Sequence, residues 1–234
     1  MMYNIRCMNI AISNVSLLPY SINPNWTLDL IRSLEIGLQL VPVWGAHELV
    51  MKASQAEVIS LEPAWSHEPL FPRFFKDPIG ASMNFGFFGT SSRSKELEDI
   101  LRKKFPNSIH IDFPDSNVRE IAFRKNIFER IHDFDNMPVV FDSWHIRELE
   151  PKTPIKSLEM ILEHVQVSAL HLQTRSIDEL SELIEKGAGY LANFLKTFGH
   201  LNVPIVIELA PQHLLCKPRE KIKVVVKRIQ DLTA

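Results

Sequence analysis

An α/β chain folded as one parallel (β/α) barrel of seven or eight strands is what this sequence predicts. Three observations predict it. Short apolar runs alternate with helix-patterned segments from end to end, which is the pattern of a parallel sheet covered by helices. No Ser/Gly-rich linker, internal repeat or low-complexity tract divides the 234 residues, so one domain, 1–234, is the simplest organisation. Neither Gly-x-Gly-x-x-Gly nor Gly-x-x-x-x-Gly-Lys follows the first strand, which removes the usual reason for an open nucleotide-binding sheet.

Seven runs read as strands: Asn9–Ser13, Leu38–Val43, Val58–Leu61, Ser108–Phe113, Pro138–Phe141, Val167–Leu172 and Pro204–Leu209. They are rich in Ile, Val, Leu or Phe and near-continuously apolar, as strands buried on both faces are. Asn84–Phe88 is a weaker eighth. Helical 3–4 spacing marks Thr27–Ile36, with Leu28, Ile31 and Leu34 on one side and Thr27 as N-cap. It also marks Ser94–Phe105, Val118–Ile131, Ser176–Phe198 and Lys221–Leu232. The fourth of these helices opens on Ser176-Ile-Asp-Glu179, a capping-box pattern. Glu62–Ser94, with four prolines, is the longest irregular stretch, and loops of that length are more often functional than idle.

Composition narrows the function classes. Lys+Arg number 26 and Asp+Glu 28, a net charge of −2, so nothing invites a nucleic-acid partner bound through phosphates. No run reaches the length of a membrane span and no signal peptide is read, so no membrane partner is expected. Cys7 and Cys216 make no disulfide framework, and a reducing cytoplasm is the expected compartment.

The chemistry lies where the strands end. Ile59-Ser-Leu-Glu62, Ile109-His-Ile-Asp112, Val139-Val-Phe-Asp142 and Val206-Ile-Glu208 each end in a carboxylate, and Ala169-Leu-His171-Leu-Gln173 carries an imidazole. In a parallel barrel these ends share one mouth. Several carboxylates buried together need a cation, and oxygen ligands with an imidazole suit Mn²⁺, Mg²⁺, Co²⁺ or Zn²⁺. Taken singly, each has a blander role. Asp142 and Glu62 can each cap the following helix, and His171 can be a core histidine satisfied by a carbonyl. The metal site is a joint inference from successive strands.

Asp142-Ser-Trp-His145 after Val-Val-Phe, Leu170-His171-Leu-Gln and Ile205-Val-Ile-Glu208-Leu-Ala-Pro211 together resemble the xylose isomerase-like TIM barrels. That family includes sugar and sugar-phosphate isomerases and epimerases and an apurinic-endonuclease branch. The spacing of Asp, His 29 residues on and Glu 37 further is similar to its last metal-ligand strands, and Gly37-Leu-Gln-Leu40 to its second strand. The resemblance implies Asp142, His171 and Glu208 as metal ligands, with the fourth open between Asp112, His110 and Glu62. It places His145 against the substrate or behind the metal. Arg175 is a candidate for an anionic or hydroxyl-rich substrate group, and equally a solvated helix-start arginine. The chain departs from the family in having Asp112 or His110 where a Glu is usual. Its third strand ends in Glu62, with His67 beyond, rather than in a His.

The expected activity is isomerisation or epimerisation of a sugar, polyol or keto acid through an enediolate. Glu208 is one proton-transfer group, and Asp112 or Glu62 the other. No Gly-rich loop or Arg/Lys cluster at a strand end offers a phosphate subsite, which favours a non-phosphorylated substrate. Trp144, like Trp26, Trp44 and Trp65, can stack on a sugar ring or pack in the core. The partner is then a small sugar-like molecule, with self-association left open. Two rivals remain: a barrel that has lost catalysis and serves as a binding module, and an endonuclease-like metallohydrolase. The latter would need further His such as His47 and His67.

Overall fold

The computed structural model describes residues 10–42, 46–63, 92–113, 116, 118–120, 138–149, 162–174 and 176–233. The expected strand at Asn84–Phe88, most of the Glu62–Ser94 stretch, most of the Val118–Ile131 helix, and Trp44, Trp65, His67 and Arg175 lie outside them.

The strands are β1 Ile10–Ser13, β2 Gly37–Leu40, β3 Val58–Leu61, β4 Ile109–His110, β5 Arg119–Glu120, β6 Pro138–Asp142, β7 Gln166–Gln173 and β8 Ile205–Glu208. The helices are α1 Pro24–Leu34, α2 Ala46–Lys52, α3 Ser92–Lys104, α4 Ser143–Leu149, α5 Ile177–Lys186, α6 Gly189–Phe198 and α7 Pro218–Thr233. The strands form one sheet in the order β4-β3-β2-β1-β8-β7-β6-β5, and every neighbouring pair is parallel. Its two edge strands meet at a single parallel bridge, Ile111 with Val118, beside the Asp112 N–H···O=C Val118 bond of 3.1 Å. The sheet is therefore curled until its edges touch, but no ladder closes it. The closed barrel is corrected to this extent among the described residues. The cause is local. Only residues 111–118 join β4 to β5, fewer than the dozen or more that a helical crossover needs, and both strands are two residues long.

Register explains the alternation hidden in the apolar runs. Asp142, His171, Val206, Ala11 and Gly37 pair in sequence across β6, β7, β8, β1 and β2, so they share one face. Two residues further on, Gln173 pairs with Glu208 and Ser13 with Gln39, which pairs with Ser60. This is the same face again, nearer the strand ends. Residues of opposite parity, among them Ile12, Leu38, Leu40, Phe141, Leu170, Leu172, Ile205 and Ile207, join the large cluster built with the helices. Leu-His-Leu, Leu-Gln-Leu and Ile-Glu-Leu thus read apolar toward the helices and polar toward the concave side. Below the polar layer a separate small cluster of Ile111, Val140 and Ala169 fills that side. Gly37 must stay bare there, because a Cβ would stand 2.1 Å from Ile59 Cγ1, and the β2–β3 register slips at Leu38/Gln39.

The helices follow their apolar faces, with boundary corrections. α1 starts at Pro24 and is capped by Asn23, whose side chain accepts from Trp26 N, so Thr27 is an interior residue and not the cap. Leu28 and Ile31 are buried as its spacing predicts, and Leu34 packs against the same cluster. The single helix expected over Ser176–Phe198 is two. Ser176 caps α5 by accepting from Glu179 N. Gly187 at φ 57° then ends it in the left-handed conformation that glycine adopts without strain. α6 supplies Phe194 and Phe198, with Phe198 edge-on to Phe141 of β6 at 5.8 Å between centroids. Where a helix was expected at Val118, Arg119–Glu120 is strand. α2 and α4 lie outside the helices read from the sequence, each only seven residues long. No helix among the described residues is long and apolar enough to cross a membrane.

One polar knot ties α1 to the turn that leads into β3, outside the site. Glu57 accepts from Ser54 N at 2.8 Å, Ser54 Oγ at 2.9 Å and Arg32 Nε at 2.6 Å. Burial raises the Glu57 carboxyl, but these bonds together outweigh it and hold the group below its ordinary value. The stability it contributes is present above the unfolded value of 4.5 and is lost as pH falls through the depressed folded one. Glu57→Ala is expected to cost about 1–2 kcal/mol at pH 7. In urea denaturation the difference from wild type should shrink at pH 3. A pH-independent difference would assign the loss to packing.

Candidate metal centre

Four strands deliver the site. β3 runs into Glu62, whose N–H continues the ladder to Leu40 O at 3.1 Å. β7 brings His171, β8 brings Glu208, and β2 brings Gln39 between them. Glu62, His171 and Glu208 each offer one ligand atom, and these lie within 4.8 Å of one another. His171 is fully buried, Glu62 nearly so, and the Glu208 side chain is 12% exposed. It is the cluster's opening to the mouth.

At its centre lies the side-chain amide of Gln39, also fully buried. Its Nε2 donates to Glu62 Oε2 at 3.1 Å and lies 3.3 Å from His171 Nε2, and the amide acts on the Glu208 carboxyl beside them. An amide nitrogen only donates, so His171 Nε2 accepts and the ring proton sits on Nδ1. That atom faces Glu208 Oε1 at 3.5 Å, too far for a good hydrogen bond, and has no other partner.

Burial drives the titration of both partners, in opposite senses. It pushes His171 down to about 4, against the pull of Asp142 and Asp112. His145 adds to the lowering. It pushes Glu208 up to about 7, although the Gln39 hydrogen bond and His145 oppose this. Between those values both groups are neutral, so their contact is no ion pair there. A neutral imidazole is ready to ligate, while Glu208 must first give up a proton.

The other expected residues surround this cluster. Asp142 Oδ1 accepts from the backbone N–H groups of Trp144 and His145, capping α4. Gln173, with its amide nitrogen turned toward Asp142, donates to Oδ2 at 2.8 Å and Oδ1 at 3.3 Å. Asp142 stays next to His171 in register, yet its carboxylate is engaged with the helix start, and Glu62 stands in the cluster instead. His145 and Trp144 are half-buried at that helix start, and His145 acts electrostatically on both His171 and Glu208. Asp112, half-buried with φ 56°, acts on His171 from beyond β4. His110 faces the other way, its Nε2 3.0 Å from Phe105 O at the end of α3. The left-handed turn at Asp112 breaks the alternation that would put the two on one face.

Gln39 is the site residue that the sequence reading passed over, although it lies in the quoted Gly37-Leu-Gln-Leu40. The available signal was the one used for His171: a polar residue interrupting an apolar strand with the parity of the other strand-end groups. Asn14 and Ser143 fasten the rim. Asn14 bonds both backbone groups of Val41, at 2.8 and 3.0 Å, and Ser143 Oγ both backbone groups of Gln173, at 2.9 Å. No protein-family model matches the chain and no curated protein is detectably similar to it, so the chemistry of the site rests on its own residues.

Proposed function

We propose that the chain is a divalent-metal-dependent isomerase or epimerase of a sugar, polyol or keto acid, a distant member of the xylose isomerase-like TIM barrels. The convergence of Glu62, His171 and Glu208 on one buried point carries this reading. Their donor set fits Mn²⁺, Mg²⁺, Co²⁺ or Zn²⁺. Bonds of about 2.0–2.2 Å place ligand atoms roughly 3–4 Å apart around one cation, so the three need to close by about 1 Å, within the reach of side-chain rotation. When bound, the cation would polarise a substrate carbonyl and its neighbouring hydroxyl, acidifying the C–H between them.

The chain's own residues do the rest. Glu62, His171 and Glu208 hold the charge, and Ile111, Val140 and Ala169 close the floor beneath them. Glu208, whose side chain opens to the mouth, is the group placed to accept and return a substrate proton. Asp112 and His145 are the partners for the second proton position, and Trp144 and Arg175 serve substrate binding. Reconstitution should load about one equivalent of metal. Ketoses incubated in D₂O with the loaded protein should gain solvent deuterium. Less than roughly a tenth of an equivalent would sink the metalloenzyme. Full loading with no deuterium across a broad sugar and keto-acid panel would remove the isomerase.

A second reading, a barrel that binds without catalysing, is favoured by one observation. The Gln39 amide already engages Glu62 Oε2 and His171 Nε2 without a cation. Metal content separates the two. A metallohydrolase with several ions has less support. Among the described residues there is one such cluster, and His47 is exposed on α2.

A further inference from the structure

We propose that Gln39 is the fourth ligand of the metal centre and that its amide serves two states. Its nitrogen ties the acceptors together when no cation is present, and a half-turn about Cγ–Cδ presents its oxygen to the cation. The inference rests on the metal reading above and adds a residue to it.

The hydrogen bonds define the first state. One nitrogen sits 3.1 Å from Glu62 Oε2 and 3.3 Å from His171 Nε2, so it lies among the residues whose ligand atoms converge. An N–H₂ group there supplies the partial positive charge that acceptors facing one another require.

The second state is indicated by what the first leaves undone. Among the described residues, Gln39 Oε1 is buried with no hydrogen-bond partner. So is the hydroxyl of Ser60, the register partner of Gln39 on β3 and therefore its neighbour on the same face. A glutamine kept only to bridge the cluster has no reason to leave its oxygen orphaned in a dry interior. Turning the amide exchanges its two ends without moving the backbone. Every atom facing the centre is then an electron-pair donor: two carboxylates, an imidazole and an amide oxygen. The nitrogen moves to the side where the oxygen now lies unbonded, on the face that Ser60 shares. Amide oxygens are ordinary ligands of hard divalent cations. The donor set then comes from β2, β3, β7 and β8 and leaves coordination positions for water or substrate.

The test is calorimetric titration of the metal-free full chain with MnCl₂, for wild type, Gln39→Leu and Gln39→Glu, with thermal unfolding of each metal-free protein. Gln39→Leu can neither donate nor ligate, and its Mn²⁺ affinity should fall about ten- to a hundredfold. Gln39→Glu keeps the shape, loses the donor and gains a charged ligand. It should bind Mn²⁺ at least about tenfold more tightly while its metal-free form melts at a lower temperature. The Co²⁺ form of Gln39→Leu should show an altered visible spectrum, which a merely structural residue would leave unchanged. Equal or tighter Mn²⁺ binding by Gln39→Leu would overturn the proposal and make the amide a place-holder, with the metal site intact. Should the leucine variant not fold, absence of any affinity gain in Gln39→Glu overturns it. Absence of binding by wild type itself overturns this proposal and the metal reading together.

Discussion

Metal-free Glu208→Gln and His171→Gln proteins are expected to show stability–pH slopes of opposite sign, each spanning up to about 3 kcal/mol, where wild type is nearly flat. Glu208 has its folded value raised from 4.5 to about 7, so the folded state keeps a proton that the unfolded chain releases. Its favourable contribution is complete below 4.5 and is lost as pH rises through 7. His171 has its folded value lowered from 6.5 to about 4, so the folded state refuses a proton that the unfolded chain binds. That costs nothing above 6.5 and grows as pH falls toward 4. Each shift spans about two and a half units, at 1.36 kcal/mol per unit. In wild type the two slopes oppose each other between about pH 4.5 and 6.5. Asp142, Asp112 and His145 face His171 in wild type and in Glu208→Gln and act on it alike.

Removing either partner uncovers the other. Glu208→Gln leaves the His171 slope, so stability should rise from pH 4 to 6.5. It should also exceed that of metal-free wild type at pH 8, where wild type holds an unfavourable buried carboxylate. His171→Gln leaves the Glu208 slope, so stability should fall between pH 4.5 and 7. Urea denaturation across this range in a chelating buffer measures both. The slope is the readout, because each substitution also carries its own packing cost, which is constant with pH. Slopes of the same sign would show that burial does not set these two groups as described.

Why much of this was legible in the sequence, and why part was not, can be traced to particular residues. The strand positions were visible because outward residues such as Leu38, Leu40, Leu170 and Leu172 are buried against helices. Most of the inward ones, such as Ala11 and Val206, are apolar too. The result is the near-continuous runs of a parallel sheet. His171 and Glu208 were visible for the complementary reason: each breaks such a run at an inward position. Closure of the sheet was not visible, because it depends on how residues 111–118 pass from β4 to β5, a path that no periodicity records. The choice between Asp142 and Glu62 was equally hidden. Both carboxylates end strands, and only the start of α4, immediately after Asp142, supplies the backbone N–H groups that engage one of them. Gln39 was missed because a neutral side chain raises no electrostatic question in a sequence. Its importance comes from the acceptors, Glu62 and His171, that register assembles around it.

Metal affinity should follow the same two protonation states, and the effect is larger. His171 stays neutral above about pH 4, so it presents a lone pair over the whole working range and sets no pH limit. Glu208 must release a proton before it can ligate, and its value is about 7 without a cation. Wild-type affinity should therefore rise about tenfold per pH unit from pH 5.5 to near 7 and level off above. Titrations in buffers of different ionisation enthalpy should register close to one proton released per metal at pH 6 and almost none at pH 8.5. His171→Gln should lower affinity more than about a hundredfold at every pH while keeping that slope, since Glu208 still pays out its proton. Glu208→Gln should lose a comparable amount at pH 8 and lose the slope with it. The two variants thus separate the ligand that is always ready from the one that must be deprotonated. A wild-type affinity independent of pH between 5.5 and 7 would show that Glu208 is not a ligand. An affinity still climbing above pH 8 would move the limiting proton to another group.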